Sequence, residues 1–249
     1  MPASDSSSPI IAVVVPVKNE ADNIAPLVTE IVAALEQRWP FEIVYVDDGS
    51  DDATPARLDS LKASISRLRV VRHRVSCGQS QAVATGVKAA HAPYIATLDG
   101  DGQNDPADIP MLFERLLEVP EAARHGLMIA GHRRKRRDTG LRRLSSRVAN
   151  GVRSLLLGDR TPDSGCGLKV FTREAFLDMP RFNHMHRFLP ALMIRRGGRV
   201  VSVAVNHRPR ERGISKYGLW NRLWVGIVDL FGVMWLNSRA SVPDIERQD

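Results

Sequence analysis

Short apolar runs alternate with segments of helical periodicity along the first half of the chain. The run over residues 10–15 is continuous and β-branched, which is typical of a strand buried on both faces. Further strands are predicted over residues 41–46, 68–72, 94–98 and 127–130. Helical spacing of apolar residues predicts helices over residues 22–35, 54–64, 79–90 and 105–117. This alternation predicts an α/β fold with a mainly parallel central sheet flanked by helices.

The pattern is less regular in the second half of the chain. Helices are predicted over residues 141–157, 172–179 and 188–196, and strands over residues 168–171 and 199–205. The serine-rich residues 1–9 lack a charged start and an apolar stretch, so they indicate a loose tail and not a signal peptide. We therefore expect one α/β domain over residues 10–217, a separate helix over residues 218–240 and a second tail over residues 241–249.

The segment after this domain is apolar and rich in tryptophan, but it carries Arg222 and Asp229 and barely reaches the length of a membrane span. On a helical wheel, one side holds polar residues and glycines: Gly218, Asn221, Arg222, Asp229 and Gly232. The other side holds Trp220, Leu223, Trp224, Ile227, Leu230, Phe231, Met234 and Trp235. This pattern predicts an amphipathic helix on a membrane surface. The alternatives are docking on the protein's own core or on a small membrane-anchored partner.

Composition narrows the range of partners. The chain has 249 residues, 43% of them hydrophobic and 25% charged, which is ordinary for a globular protein with a real core. The formal net charge of +7 favours anionic partners such as nucleic acid, phosphorylated substrates or an anionic membrane face. Cys77 and Cys166 form neither a disulfide framework nor a metal-binding spacing, which favours a reducing cytosol. Both are expected to be small buried residues.

Two carboxylates follow the strand predicted over residues 94–98. Asp99 and Asp101 lie one residue apart there, with Gln103 two positions further on, and a second acidic cluster over residues 47–52 also closes a strand. Ligands of open α/β sheets collect at the carboxyl ends of strands. Carboxylate and amide oxygens suit hard divalent cations, which usually also bind substrate phosphates. A metal-bound diphosphate is therefore the first hypothesis, and a solvated acidic turn is the alternative.

The end of the first strand argues against one common class of enzyme. A dinucleotide-binding fold would place Gly-x-Gly-x-x-Gly here, and the sequence instead has Pro16-Val17-Lys18-Asn19-Glu20, so a dehydrogenase is disfavoured. Lys18 and Glu20, together with Asp48 after the next strand, are candidates to bind a base and ribose. The alternative is that residues 19–22 only cap the following helix.

Taken together, five segments resemble glycosyltransferase family 2 enzymes of GT-A fold, in the branch of dolichyl- and polyprenyl-phosphate sugar transferases. They occur in family order over residues 10–217: Pro16-Val17-Lys18-Asn19-Glu20, Val46-Asp47-Asp48-Gly49-Ser50, Leu98-Asp99-Gly100-Asp101-Gly102-Gln103-Asn104-Asp105-Pro106, Gly165-Cys166-Gly167-Leu168-Lys169 and Arg210-Glu211-Arg212-Gly213-Ile214-Ser215-Lys216-Tyr217. Members often have Asp-Ala-Asp where this chain has Asp-Gly-Asp, and glycine should leave the ligand geometry intact.

The resemblance implies a role for each matching residue. The nucleotide sugar would be bound by Pro16, Lys18, Glu20, Val46, Asp48, Asp99, Gly100, Asp101, Gln103, Arg210 and Lys216. Within this set, Asp101 and Gln103 would hold Mg²⁺ or Mn²⁺, and Arg210 and Lys216 would contact the donor phosphates. Catalysis would depend on Asp99, Asp101 and Arg210. The acceptor phosphate would be bound by Arg133, Arg143 and Ser146.

The implied activity is a metal-dependent, inverting transfer of a hexosyl group from GDP-mannose or a UDP-sugar to a polyprenyl phosphate. The protein would then lie peripherally on the cytoplasmic face of the membrane. One alternative is a GT-A enzyme with a soluble or polysaccharide acceptor, which would need a catalytic base. A nucleotidyltransferase would be expected to have a glycine-rich phosphate loop after the first strand, which residues 16–20 do not provide.

The basic run over residues 132–137 permits another alternative, a nucleic-acid-binding protein. Nucleic-acid grooves typically interleave aromatic side chains for stacking, and none occurs between Gly131 and Phe171. A basic surface also attracts phosphate and anionic lipid headgroups. We therefore expect phosphate and membrane contacts here, and no nucleic-acid partner.

Overall fold

The computed structural model describes residues 8–133, residues 151–210 except 152, 155 and 160, and residues 219–242, the side chains of 219–224 excepted. Its strands are β1 (Ile11–Val17), β2 (Phe41–Asp47), β3 (Leu68–Arg72), β4 (Tyr94–Thr97), β5 (Leu127–Arg133), β6 (Lys169–Thr172) and β7 (Arg199–Val205). Its helices are α1 (Ala21–Leu35), α2 (Thr54–Ser64), α3 (Gln79–Ala89), α4 (Ile109–Leu117), α5 (Glu121–Arg124), α6 (Arg173–Leu177), α7 (Leu189–Arg195) and α8 (Leu219–Ser238).

The seven strands form one sheet in the order β3-β2-β1-β4-β6-β5-β7. The pairs β1–β2, β1–β4, β2–β3 and β5–β7 are parallel, whereas β6 runs antiparallel to both of its neighbours. The mainly parallel α/β fold expected from the sequence is therefore confirmed. The antiparallel direction of β6 is new, because periodicity predicts a strand but not its orientation.

Each face of the sheet is covered by its own apolar cluster. Ile24 and Ile31 of α1 and Phe113 of α4 are fully buried against one face. Val83 of α3 and Leu192 of α7 belong to the cluster on the other face. A sheet covered on both faces needs strands that are apolar throughout, which is the physical reason for the continuous run in β1.

Helix α8 packs on the second of these clusters. Val233 is fully buried, Leu230 and Met234 pack against the cluster, and Nε of Arg195 donates a hydrogen bond to the carbonyl oxygen of Leu236 at 3.0 Å. Asp229 also faces the protein, because its Oδ2 lies 3.0 Å from Nδ1 of His184. The polar side of the predicted helical wheel is therefore partly in contact with the protein and is not entirely exposed to water.

The outer side of α8 is apolar and exposed. Phe231 and Trp235 are 64% and 61% exposed, and Ile227 and Val228 lie on the same side. The helix thus docks on the protein through one apolar side and presents a second apolar side to its surroundings. None of the helices in the described part of the chain is both long and apolar enough to cross a membrane.

Candidate active site

The carboxyl ends of three adjacent parallel strands meet at one edge of the sheet. Because β1 lies between β2 and β4, the residues after these strands are brought together although they are distant in sequence. The backbone N–H of Asp48, after β2, donates to the carbonyl oxygen of Val17 at the end of β1 at 2.8 Å. Glu20, Asp48 and Asp99, all candidates from the sequence, therefore lie along one edge.

Asp99 is partly buried and lies two residues after the end of β4. Nε2 of Gln79 donates a hydrogen bond to Oδ1 of Asp99 at 2.8 Å. The carboxylate lies so close to the backbone of Gly167 that a Cβ at position 167 would collide with it. Burial and then the neighbouring Asp101 raise the pKa of Asp99 to about 6, while Lys169 and Arg133 oppose this shift.

Asp101 is partly exposed to solvent, whereas most residues of β4 are buried. Its Oδ1 accepts a hydrogen bond from the backbone N–H of Gln103 at 3.1 Å, which holds the turn after β4. Gly100 is required in this turn, because a Cβ there would collide with Val17 and the backbone of Pro16. A cleft of about 320 Å³ opens beside Asp101, lined by Asn23, Pro26, Leu27, Glu30, Asp101, Gly102, Arg208 and Pro209. The Asp101 carboxylate and the Gln103 amide are oxygen donors of the type that Mg²⁺ and Mn²⁺ accept.

A strap formed by residues 206–210 lies against the turn that carries Asp101. Its backbone bridges Asn104 through His207, and the N–H of Arg208 donates to the carbonyl oxygen of Gln103 at 2.9 Å. The guanidinium of Arg208 binds both Glu30 and Asp105 at 2.7 Å. These bonds tie the strap to α1 and to the β4 turn.

The strap brings Arg210 to the predicted nucleotide edge. Nη2 of Arg210 donates to Oε1 of Glu20 at 2.5 Å, and Oε2 of Glu20 accepts from Nδ2 of Asn23 at 2.7 Å. Two candidates separated by most of the chain are therefore in direct contact. Arg208, which supports the strap, was not predicted from the sequence, since no local pattern connects it with Glu30.

Asp48 is surrounded by hydrogen-bond donors from residues 73–78. Its two oxygens accept from Nδ1 of His73, Oγ of Ser76 and the backbone N–H groups of Cys77 and Gly78, at 2.7 to 2.8 Å. These bonds outweigh the effect of burial and lower the pKa of Asp48. Asp48 therefore holds this loop at the edge of the sheet.

Other predicted nucleotide contacts have different surroundings. Val46 is fully buried in the second apolar cluster, so its side chain does not line an open pocket. Pro16, its partner across β1 and β2, is partly exposed, and Lys18 is exposed at the start of the following loop. Asn19 has a φ of 53° and joins this loop to the next one, since its Oδ1 accepts from the N–H of Asp51 at 3.0 Å.

The predicted acceptor residue Arg133 lies at the end of β5 and forms a fork with Asp163. Nε and Nη2 of Arg133 donate to the two oxygens of Asp163 at 2.6 and 2.7 Å, and both side chains are largely buried. Because β6 runs antiparallel to both β4 and β5, these two strands end at the same edge of the sheet, so Arg133 lies at the edge that carries Asp99. The other candidates, Arg143, Ser146 and Lys216, lie outside the described residues.

Lys169, at the start of β6, is a further charged residue that the sequence did not single out as functional. It is 2% exposed and donates a hydrogen bond to the carbonyl oxygen of Cys166. Burial lowers its pKa, while Cys166, Asp99 and Asp163 act in the opposite direction. The sequence signal that could have identified Lys169 is its position in the Gly-Cys-Gly-Leu-Lys segment.

The expected burial of cysteine holds for Cys166 but is wrong for Cys77, which is exposed.

The comparisons with known proteins agree with this architecture. The model of the family described as "Glycosyl transferase family 2" matches residues 12–179. Among solved structures, glucosyl-3-phosphoglycerate synthase from Mycobacterium tuberculosis, in complex with Mg²⁺ and uridine diphosphate, matches with a TM-score of 0.65 and 19% identity. That match covers 95% of this chain and 81% of the synthase. The protein therefore has the fold of a GT-A glycosyltransferase.

Relatives with higher sequence identity indicate a narrower group within this family. Dodecaprenyl-phosphate galacturonate synthase from Rhizobium johnstonii is 36% identical, over 94% of this chain and 69% of the relative. Undecaprenyl-phosphate 4-deoxy-4-formamido-L-arabinose transferase from Edwardsiella ictaluri is 34% identical, over 84% of this chain and 63% of that protein. This chain belongs to glycosyl transferase family 2 and is similar to its polyprenyl-phosphate sugar transferases, which confirms the resemblance seen in the motifs. It spans about two thirds of the length of these relatives.

Proposed function

We propose that this protein transfers a hexosyl group from a nucleotide diphosphate sugar to a polyprenyl phosphate, with inversion at the anomeric carbon. One observation carries the proposal. Asp99 and Asp101 lie at the sheet edge beside the strap, and Arg210 of the strap contacts Glu20 at the same edge. The names of the two relatives support the class of acceptor. The donor is GDP-mannose or a UDP-sugar.

The donor diphosphate would be bound through a divalent ion. Asp101 and Gln103 would hold Mg²⁺ or Mn²⁺, and this ion, when bound, would neutralise charge on the departing nucleotide. The turn after β4 supports this role, because Asp101 is partly exposed and its backbone bond to Gln103 keeps the two residues together. The M. tuberculosis synthase has been crystallised with Mn²⁺ and UDP-glucose, which agrees with a divalent ion in this fold.

Arg210 would supply fixed positive charge at the same edge. Its contact with Glu20 orients the guanidinium before substrate binds, and such preorganised charge is usually the largest contribution to catalysis. Lys216 would assist at the donor phosphates. Pro16, Lys18, Glu20 and Asp48 would border the nucleotide, with Val46 supporting them from the core.

The acceptor would need alignment and not deprotonation. A phosphate monoester has a second pKa of about 6, so it is already an anionic nucleophile at neutral pH. Arg133, held by Asp163, would direct that phosphate toward the anomeric carbon, together with Arg143 and Ser146. No general base is required for this displacement.

Access to a lipid acceptor would come through α8. The exposed side chains of Phe231 and Trp235 are of the type that enters the headgroup boundary of a bilayer, while the buried side holds the helix to the protein. We propose peripheral attachment on the cytoplasmic face. Docking of the same side on a small membrane-anchored partner is the alternative arrangement.

The test is a panel of radiolabelled donors incubated with undecaprenyl phosphate, Mg²⁺ or Mn²⁺ and the protein. It should include GDP-mannose, UDP-glucose and a UDP-hexuronic acid, the last because one relative is named a galacturonate synthase. We expect label from one donor to enter the organic phase. Label that stays aqueous with every donor would contradict a polyprenyl acceptor.

A pair of variants makes this test specific to the proposed metal residue. Asp101→Ala should reduce transfer more than about 100-fold, the size of a large electrostatic contribution. Asp59→Ala is the matched control, because it removes a carboxylate that is 67% exposed on α2. Substantial metal-dependent transfer by Asp101→Ala would refute the metal assignment.

A further inference from the structure

Three side chains from two separate segments converge at the carboxyl end of β2. Asp48 comes from the end of this strand, whereas His73 and Cys77 come from the loop before α3. One ligand atom from each lies within 4.8 Å of the other two. Oδ1 of Asp48 and Nδ1 of His73 are already 2.7 Å apart. Carboxylate, imidazole and thiolate together are the donor set of zinc, not of magnesium.

The surroundings of these residues resemble the supporting contacts of a metal site. Ligating histidines usually bind a second partner through the other ring nitrogen, and Nε2 of His73 lies 2.9 Å from Oγ1 of Thr85. The second oxygen of Asp48 is held by Ser76 and Gly78 at 2.8 Å. Burial decreases from Asp48 through His73 to the exposed Cys77, so a cation can enter from the thiol side.

We propose that Asp48, His73 and Cys77 bind a borderline-soft divalent cation such as Zn²⁺, with solvent in the fourth position. On binding, the cation replaces the proton between Nδ1 of His73 and Oδ1 of Asp48. That proton moves to Nε2 of the imidazole, which then donates a hydrogen bond to Oγ1 of Thr85, and the thiol proton of Cys77 is released to water. No electron transfer is involved.

This site is chemically distinct from the one proposed at Asp101. Asp101 and Gln103 offer only oxygen donors, which suit Mg²⁺ and Mn²⁺, whereas the Asp48 site adds nitrogen and sulfur. Zn²⁺ should therefore prefer the Asp48 site while Mg²⁺ should not bind there. A cation at Asp48 would also occupy the edge at which the nucleotide is proposed to bind, so Zn²⁺ would inhibit transfer. This last step rests on the proposed function, but cation binding does not.

Binding is tested first, with the full chain freed of metal by a chelator and then dialysed. Titration with Co²⁺, a spectroscopic substitute for Zn²⁺, should produce a near-ultraviolet thiolate-to-cobalt band, and added Zn²⁺ should abolish it. Cys77→Ser should remove the band and weaken Zn²⁺ binding at least about 10-fold, since one of three protein ligands is lost. Cys166→Ala is the matched control and should keep both signals, because Cys166 is buried elsewhere.

Two results would overturn the proposal. One is the absence of a thiolate band in the unaltered protein, and the other is equal Zn²⁺ affinity in the unaltered and Cys77→Ser proteins, which would indicate adventitious binding. The transferase assay, run in excess Mg²⁺, provides a separate measurement. There Cys77→Ser should require at least about 10-fold more Zn²⁺ for half inhibition. If no donor supports transfer, the cobalt measurement still decides whether the site exists.

Discussion

Arg133 and Asp163 form a two-bond ion pair, although 29 residues lie between them in the chain. Nε and Nη2 of the arginine meet the two carboxylate oxygens at 2.6 and 2.7 Å, and the Arg133 backbone N–H adds a third contact at 3.2 Å. The side chains are 14% and 8% exposed, so the pair is largely removed from water. The fork fixes the direction of the guanidinium that we propose for the acceptor phosphate.

Removal of the carboxylate should therefore be costly for folding. Asp163→Ala leaves a largely buried guanidinium without its ion-pair partner, and we expect a loss of about 3–5 kcal/mol in the free energy of unfolding. Glu114→Ala breaks the exposed pair between Arg38 and Glu114, whose side chains are both about half exposed, and should cost less than about 1 kcal/mol. Urea denaturation followed by circular dichroism measures the free energy of unfolding of both variants. Equal losses of stability would contradict the conclusion that the buried pair contributes more than the exposed pair.

Gly167 should not tolerate a side chain. A methyl group there collides with the carboxylate of Asp99, so Gly167→Ala must displace Asp99 or the β6 segment. We expect a loss of about 1–3 kcal/mol in stability together with lost transferase activity. Gly232→Ala on α8 is the control, because nothing lies near its added methyl group and alanine favours a helix by about 1 kcal/mol. An unchanged melting temperature of Gly167→Ala would contradict the close approach of Gly167 to the Asp99 carboxylate.

His186 should make stability depend on pH. Oγ of Ser80 lies 2.7 Å from its Nδ1, and burial followed by nearby cationic groups lowers the pKa of His186 to about 3. His186 of the unfolded chain therefore takes up a proton below about pH 6.5. In the folded protein the same side chain takes up this proton only near pH 3. Its contribution to stability is therefore intact above about pH 6.5 and decreases as the pH falls, by at most about 1.4 kcal/mol per pH unit.

The measurement is the difference in unfolding free energy between the unaltered protein and His186→Gln, from pH 7 to pH 4. This difference isolates His186 from Asp99, whose raised pKa of about 6 acts on stability in the opposite direction. The advantage of the unaltered protein should shrink as the pH is lowered. A constant difference across this range would show that His186 does not titrate as described.

The outer side of α8 should bind lipid. Replacement of both Phe231 and Trp235 by serine removes two large exposed apolar side chains, each worth about 1.5–3 kcal/mol when buried. We expect at least about a 10-fold loss of binding to vesicles of phosphatidylcholine and phosphatidylglycerol, measured by sedimentation. Val75→Ser, at an apolar residue 70% exposed elsewhere on the surface, should have little effect. Unchanged sedimentation of the double variant would favour a partner protein.

Much of the architecture could be predicted because it depends on local patterns. Continuous apolar runs predict strands covered on both faces, so β1 through β5 and their α/β arrangement follow from the order of residues. Polar residues directly after such runs must lie at the carboxyl edge of a parallel sheet. Asp99, Asp101 and Asp48 are therefore candidates before any contact is known.

The contacts of those candidates required the folded chain. The fork between Arg133 and Asp163, the bond from Gln79 to Asp99 and the pairing of Arg210 with Glu20 join residues distant in sequence. Spacing along the chain carries no signal for such pairs. The same limit explains Val46, which the family resemblance implied as a nucleotide contact but whose side chain belongs to the core.

By itself, the sequence determined the family, the α/β class and the sheet edge at which ligands should bind, because strand periodicity and strand-end motifs are local properties. Tertiary structure decided which charges are paired, that α8 has both a docked and an exposed apolar side, and that Asp48, His73 and Cys77 converge. The physical reason is that burial and ion pairing depend on distances through space, which are set only when β-strands and loops far apart in the chain pack together.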